Sequence, residues 1–294
     1  MSASKVGFQL ASELKFYECL ANDRVRMPQL IQLIYDVFYV DLATYYRLGY
    51  WSAESRNFVF LNDSRCVANV TVLPMHLCID GESHRAAAIQ SVATHPRWRN
   101  RGLFRRLMEA ALRWCDARYQ NLFLFTDSPR LYEPFGFRTH HVSIFHKTLG
   151  TKQRRASSRM FRSGDEDWLL KLLAERTPSS KRFGFFDHRA MFMLHSIGSG
   201  FSQLRVFPEL DCVVVATQQG AKLRIDDIVA RVMPRFDELL SAFSHERQQV
   251  EFGFSPEQLG INADEKHANS DTQLMVRGPL DAHHIVAIPN CARF

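Results

Sequence analysis

Between Pro28 and Val40 the apolar residues fall at 30, 31, 33, 34, 37 and 38. That is a helical stripe, with Pro28 at a first-turn position. Residues 57–61 (NFVFL) read as a strand, and 66–79 as a long one with Pro74 as a candidate bend. Asp80-Gly81 is a hairpin signal, and 86–94 returns as the next strand. After Gly102 the period changes. Leu103, Phe104, Leu107, Met108, Ala111, Leu112 and Cys115 share one face, opposite Arg105, Arg106, Glu109, Arg113 and Asp116. This predicts a long amphipathic helix. Residues 121–125 (NLFLF) form a continuous apolar run, the pattern of a buried strand. Ser128-Pro129 then starts a second, shorter helix that ends at Gly136, and 137–147 is expected as a last strand.

The second half repeats this grammar. Helices are expected over 165–176 and 235–248, and a hairpin over 210–217 and 222–232 around Gln219-Gly220. Further strands are expected at 250–254, 274–277 and 285–288. The unit of strand, Ser-Pro, short helix and Gly occurs at 121–136 and again at 250–260, about one domain length apart. This pattern suggests a duplication.

With 294 residues the chain has room for two domains. At 46 % hydrophobic and 23 % charged it has a globular composition. No apolar run is long enough to cross a membrane, and the first twenty residues carry Glu13, Lys15 and Glu18 where a signal peptide needs an apolar core. Six scattered cysteines without a C-x-x-C pair argue against a disulfide framework or a zinc cluster, so a cytoplasmic protein is expected. The net charge of +6 equals the six basic residues of one stretch free of Asp and Glu: Lys147, Lys152, Arg154, Arg155, Arg159 and Arg162. The stretch reads as a linker between domains, or as a docking segment for an acidic partner. Nucleic acid is not expected, because the charge is not spread over a face with interleaved aromatics.

The segment from Val92 to Phe104 (VATHPRWRNRGLF) carries the chemistry. A strand ends, a basic turn follows and a long helix begins, so free N–H groups of turn and helix start converge on one place. Arg99 and Arg101 add charge, and Gly102 has no Cβ to keep a phosphate away. The turn reads as a pyrophosphate cradle, or as a plain helix start with incidental arginines. P-loop and dinucleotide-binding glycine patterns are absent.

Arg99–Phe104 resembles the R-x-x-G-x-G/A loop of the GCN5-related N-acetyltransferases (GNATs), and Leu131–Phe137 (LYEPFGF) resembles their F-Y-x-x-x-G-F motif. Within that family the wording is most similar to the enhanced-intracellular-survival type, without its third domain. The resemblance implies an α+β fold with a mixed, mostly antiparallel sheet flanked by helices over 1–148. It further implies a basic linker at 149–160 and a second, degenerate GNAT-like domain over 161–294. The last loop position is Phe104 rather than Gly or Ala, and its ring is expected to point inward.

The implied activity is direct acetyl transfer from acetyl-CoA to a small-molecule or peptide amine, without metal. Pantetheine maps onto the backbone of Ser91, Val92 and Ala93, and pyrophosphate onto the N–H groups of Arg99, Asn100, Arg101, Gly102, Leu103 and Phe104. Asp127 and Ser128 map near the thioester. Tyr132 maps onto the tyrosine that protonates the leaving thiolate; its other reading is a core aromatic. His95, Glu133, the carboxylate at Phe294 and water are the candidates for accepting the amine proton. His140-His141 and His283-His284 are expected as surface or hydrogen-bonded histidines, because neighbours in a strand face opposite ways. The run Phe183–Phe186 is expected in packing, or as a wall of the acceptor cleft. The competing function is a CoA-binding sensor or scaffold without catalysis.

Overall fold

The computed structural model describes residues 14–150, 157–240, 243 and 247–294. The first half contains β1 (Leu14–Leu20), α1 (Met27–Phe38), α2 (Ala43–Arg47), β2 (Arg56–Asn62), β3 (Arg65–Ile79) and β4 (Glu82–Thr94). It continues with α3 (Leu103–Asp116), β5 (Asn121–Thr126), β6 (Arg138–His140) and β7 (Ser143–Gly150). The second contains β8 (Arg159–Met160), α4 (Glu166–Glu175), β9 (Phe183–Asp187), α5 (Arg189–Gly198), β10 (Leu204–Phe207) and β11 (Cys212–Gln219). It closes with β12 (Lys222–Ala230), α6 (Phe236–Leu240), β13 (Arg247–Phe252), β14 (Asp264–His267) and β15 (Gln273–Arg277).

Two sheets result. The first runs β1-β2-β3-β4-β5-β15-β6, with β9 added to β3, and the second runs β14-β7-β13-β12-β11-β10-β8. Each contains a hairpin followed by a parallel strand, β3-β4-β5 and β11-β12-β13. The duplication expected from the Ser-Pro echo is therefore present in topology. In each sheet the place beside the parallel strand is filled from the other half. β15 lies against β5, and β7 lies against β13.

This exchange departs from the expected division into 1–148 and 161–294. β7 belongs to the second sheet and β15 to the first. Leu274, Met275 and Val276 are all buried, so β15 suits an interior slot, and it covers backbone groups that β5 would otherwise leave unpaired. The ends of the expected linker are strands. Lys147 lies in β7, and Arg159 in β8 is paired with Asp165 at 2.6 Å. Lys152, Arg154 and Arg155 lie outside the described residues.

Other departures have local causes. The helix expected at 128–136 is two 3-10 turns, Pro129–Leu131 and Glu133–Phe135, because Pro134 lacks the N–H a continuing helix needs. The helix expected over 235–248 is described only at 236–240, and β13 already begins at Arg247. Residues 285–288 are not a strand; the Ser143 N–H of β7 donates to Val286 O at 2.7 Å.

Helix α3 covers one face of the first sheet with Leu103, Leu107, Met108, Ala111, Leu112 and Cys115. Helices α1, α4 and α5 share a core with both sheets. Their junction is fixed by a buried ionic cluster. Arg176, just after α4, forks onto Asp227 of β12 at 2.7 and 2.8 Å. His188, at the start of α5, donates from Nε2 to the same carboxylate at 3.0 Å. Burial alone would raise Asp227, but the Arg176 charge and the bonds from Arg176 and His188 hold it far below the usual carboxylate range. Burial, then the Arg176 charge, pushes His188 down, outweighing Asp227. All six cysteines are buried free thiols. Among the described residues no helix is long and apolar enough to cross a membrane.

Two predictions follow from this packing. Gly278, after β15, has φ +130°, and a Cβ there would overlap the Gln120 carbonyl oxygen. Gly278→Ala should destabilise the fold by on the order of 3 kcal/mol in denaturant titration. For the ionic cluster, unfolded His188 takes a proton near pH 6.5 and folded His188 less readily, so its contribution is complete above about 6.5 and declines as pH falls. Asp227, also depressed, adds a loss in the same direction below about pH 4. Melting temperature should drop from pH 7 to pH 5, and His188→Gln should flatten that slope.

Candidate active site

The site begins where two parallel strands part. β4 pairs with β5 only through Ala86, Ala87 and Ala88. Beyond Ala88 no strand among the described residues pairs with that edge of β4. On its other edge β4 carries a bulge, since Thr71 faces Gln90 while Asn69 faces Ala93. Ser91 there has φ +50°, outside the conformations a regular strand permits. Three fully buried polar side chains hold the bulge. Asn69 Nδ2 donates to Ser91 O at 2.7 Å and to Thr71 Oγ1 at 3.0 Å, and Thr71 Oγ1 donates to Asn57 Oδ1 at 2.8 Å. Ser91, Val92 and Ala93 thus lie along the unpaired edge of β4.

The edge leads into the basic turn. Pro96–Trp98 form a 3-10 turn whose Arg97 N–H donates to His95 Nδ1 at 3.3 Å. Asn100 (φ +61°) and Gly102 (φ +72°) then reverse the chain into α3. Among the described residues no acceptor meets the N–H groups of Asn100, Arg101, Gly102, Leu103, Phe104 or Arg105, whereas the Arg99 N–H, expected among the free donors, closes the 3-10 turn by donating to Pro96 O at 3.3 Å. Nothing lies within 4 Å of where a Gly102 Cβ would be, so the space before these donors is open. Free donors at the start of a 14-residue helix, beside open space and two arginines, make an anion site. A diphosphate fits it. Arg99 Nε donates to Thr94 O at 3.2 Å, and the Arg101 guanidinium lies 4.6 Å over the Trp98 ring.

Phe104 points away from this space. Its ring packs edge-on against Tyr132 at 5.6 Å and Phe135 at 5.7 Å. Tyr132 is buried, between Phe104 and Phe137. Burial, and then the charge of Asp127, push its phenol up to about 12. Its hydroxyl makes no hydrogen bond among the described residues. Asp127 and Ser128 are exposed just beyond β5, with Ser128 Oγ donating to Asp127 Oδ1 at 2.9 Å. Glu133 is exposed.

On the sheet face opposite α3 lies a cleft of about 880 Å³. Its floor follows from a gap in pairing. β2 pairs with β3 up to Val72 and β9 joins only from His76, so Leu73, Pro74 and Met75 have β4 alone as partner. Pro74, with no N–H to offer, suits the place where that edge lacks a strand. The strand runs through it unbroken. Residues 48–54 form one wall, and Phe185, Asp187–Met191 and Phe294 the other. The Phe294 ring packs 5.3 Å from Phe125, on the diverging end of β5. Phe185 thus borders the cleft while Phe183 packs in the core.

The sequence singled out the turn, Tyr132 and the aromatic run. It missed Asn57, Asn69 and Thr71, whose signal was an Asn or Thr inside otherwise apolar strands, and it missed the Trp51 and His188 walls. Both His140 nitrogens meet backbone carbonyls, His141 stacks on His267 at 4.3 Å, and His284 Nε2 meets Arg182 O. His188, Asp227 and Cys291 lie within 4.8 Å of one another, but Arg176 already occupies the carboxylate.

Residues 24–140 match the family profile described as an acetyltransferase (GNAT) domain. No curated protein sequence gives a match. Among solved structures, the chain resembles a conserved protein of unknown function from Enterococcus faecalis V583, a probable N-acyltransferase. Identity is 13 % and TM-score 0.60, covering 90 % of this chain and 72 % of that one. Eis1 from Mycobacterium abscessus is similar at 12 % identity and TM-score 0.58, over 90 % and 73 % of the two chains. A GCN5-related N-acetyltransferase from Kribbella flavida gives 13 % and 0.53, over 92 % and 72 %. At such identities the likeness is one of fold, and it extends across both sheets. Residues 24–140 thus carry the match to an acetyltransferase (GNAT) domain, and the fold of the chain resembles that of Eis1.

Proposed function

We propose that this protein transfers an acetyl group from acetyl-CoA to the nitrogen of an amine. The observation that carries this reading is the unpaired edge of β4 running straight into the free N–H groups before α3. The backbone of Ser91, Val92 and Ala93 would hold the pantetheine arm as an added strand holds to an edge. The N–H groups from Asn100 to Arg105 would hold the diphosphate, with Arg99 and Arg101 supplying charge. The bound coenzyme supplies a thioester carbonyl open to attack.

A neutral amine nitrogen forms the new N–C bond as the C–S bond breaks. The proton lost at nitrogen balances the one gained at sulfur. Tyr132 Oη keeps its proton at every working pH, because burial disfavours the phenolate. It can therefore donate toward sulfur as negative charge develops there. His95 Nδ1 is engaged by Arg97 N–H and Glu133 is exposed, so neither is placed to take the amine proton.

Two measurements test the reading. Gly102→Asp places a carboxylate in the open space before the donors, at a positive φ that Asp tolerates better than most residues. The fold should hold while CoA affinity in calorimetry falls by about tenfold or more. The wild type should bind one CoA per chain, because Pro234 precedes α6 where the second cradle would lie. Tyr132→Phe should lower kcat by on the order of 10²-fold with CoA affinity intact. Its stability should stay within about 1.5 kcal/mol of wild type, as for a near-isosteric swap. Normal turnover in the folded Phe variant would remove Tyr132 from the mechanism, whereas CoA binding by the wild type with no turnover of any amine would favour the non-catalytic CoA-binding reading.

A further inference from the structure

The second sheet parts where the first one does, and there the gap is filled. β12 and β13 pair in parallel up to Ile225 and Phe252, as β4 and β5 do up to Ala88 and Phe123. A bulge follows in both, here at Asp226, between the pairs Ala216–Ile225 and Val215–Asp227. Ile228 and Ala230 stand as far beyond Ile225 as Ser91 and Ala93 stand beyond Ala88. On β4 that edge is free. On β12 residues 176–181 cover it.

The cover meets the edge carbonyl by carbonyl. The Thr177 N–H donates to Ala230 O at 2.9 Å. Arg176 Nη2 donates to Ile228 O at 3.0 Å, and Thr177 Oγ1 to Arg231 O at 2.6 Å. The segment then crosses to the 3-10 turn Pro256–Leu259 that follows β13. There Glu257 Oε1 accepts from Ser180 Oγ at 2.9 Å and from the Lys181 N–H at 2.6 Å, and Gln258 Nε2 donates to Pro178 O. This is the Ser-Pro turn that echoes the one bearing Tyr132, and Leu259 stands where Tyr132 stands relative to the proline. Residues 176–181 therefore run from the parted edge to the Ser-Pro turn, the course laid out for a pantetheine arm in the first sheet.

The segment belongs to no helix or strand, yet Arg176, Ser179 and Ser180 are buried. A buried irregular chain needs partners for its polar groups, and the edge of β12 supplies them. The Arg176 fork onto Asp227 locks the near end. Past Lys181 the chain enters the first sheet. The Gly81 N–H donates to Lys181 O at 2.8 Å and the Asp80 N–H to Arg182 O at 3.1 Å, and β9 pairs with β3 from Ile79 to His76. Gly184 keeps this joint close, because a Cβ there would overlap Ser180 O.

We propose, resting on the reading of the β4 edge as the coenzyme edge, that residues 176–181 are a built-in occupant of a second coenzyme groove, with Thr177 in the place of a pantetheine amide. The second half is thereby closed to acyl-CoA. It becomes a clamp that holds β9, and with it the Phe185 wall of the cleft, against β3. Amide exchange read by mass spectrometry on the full chain, with and without saturating CoA, tests this. Residues 176–181 should exchange as slowly as the strands around them, and CoA should leave them unchanged while slowing exchange in 90–105. Glu257→Ala together with Gln258→Ala frees the far end of the segment and lies outside β4, β5 and the basic turn. The double variant should exchange about tenfold faster or more over 176–187 and keep its CoA affinity. Exchange of 176–181 as fast as an exposed loop, release of the segment as a second CoA binds, or an unchanged β9 in the double variant overturns the proposal. Slow exchange of 176–181 in a chain that binds no CoA overturns the coenzyme reading of β4 instead.

Discussion

The candidate site depends on three alanines. Ala86, Ala87 and Ala88 are the whole extent of the parallel contact between β4 and β5. If the ladder ran further, the edge of β4 would be closed and nothing could pair with it. What stops the ladder is the bulge at Ser91, and what holds the bulge is a row of buried amide and hydroxyl groups crossing three strands. Such a row is costly to bury half-satisfied and specific when most of its bonds are made. It fixes one register, and so one place for the turn and the start of α3.

Much of this was legible in sequence because it is local. The strand, the basic turn and the helix stripe follow one another within about thirty residues, and each is fixed by its own periodicity or backbone need. Gly102 and the apolar face of α3 are of this kind, as is the inward turn of Phe104, which follows from its place on the helical wheel. The bulge network was not legible. Asn57 lies in β2, Asn69 and Thr71 in β3 and Ser91 in β4, and their meaning depends on which strand lies beside which. The cleft walls escaped for the same reason, since Trp51 and Phe185 meet only through tertiary structure.

The division into domains was legible only in part. Order and type of elements repeat in both halves, and the sheets repeat with them. The strand exchange has no local signature. An apolar run such as Leu274–Val276 fits any interior slot, and a residue pattern does not say in whose sheet that slot lies. The break between β6 and β7 is similarly silent, because a strand of eleven residues and two shorter ones divided at His141-Val142 share one pattern.

The exchange also orders events in time. A ribosome makes the chain from its N-terminus, and β5 ends at Thr126 while β15 begins at Gln273. At roughly 5–20 residues per second, the interval between them is about seven to thirty seconds of synthesis. Throughout it the first sheet has a hydrophobic edge with no partner, of the kind that draws aggregation. The two halves therefore cannot finish folding one after the other. They complete each other late, when the last strands emerge.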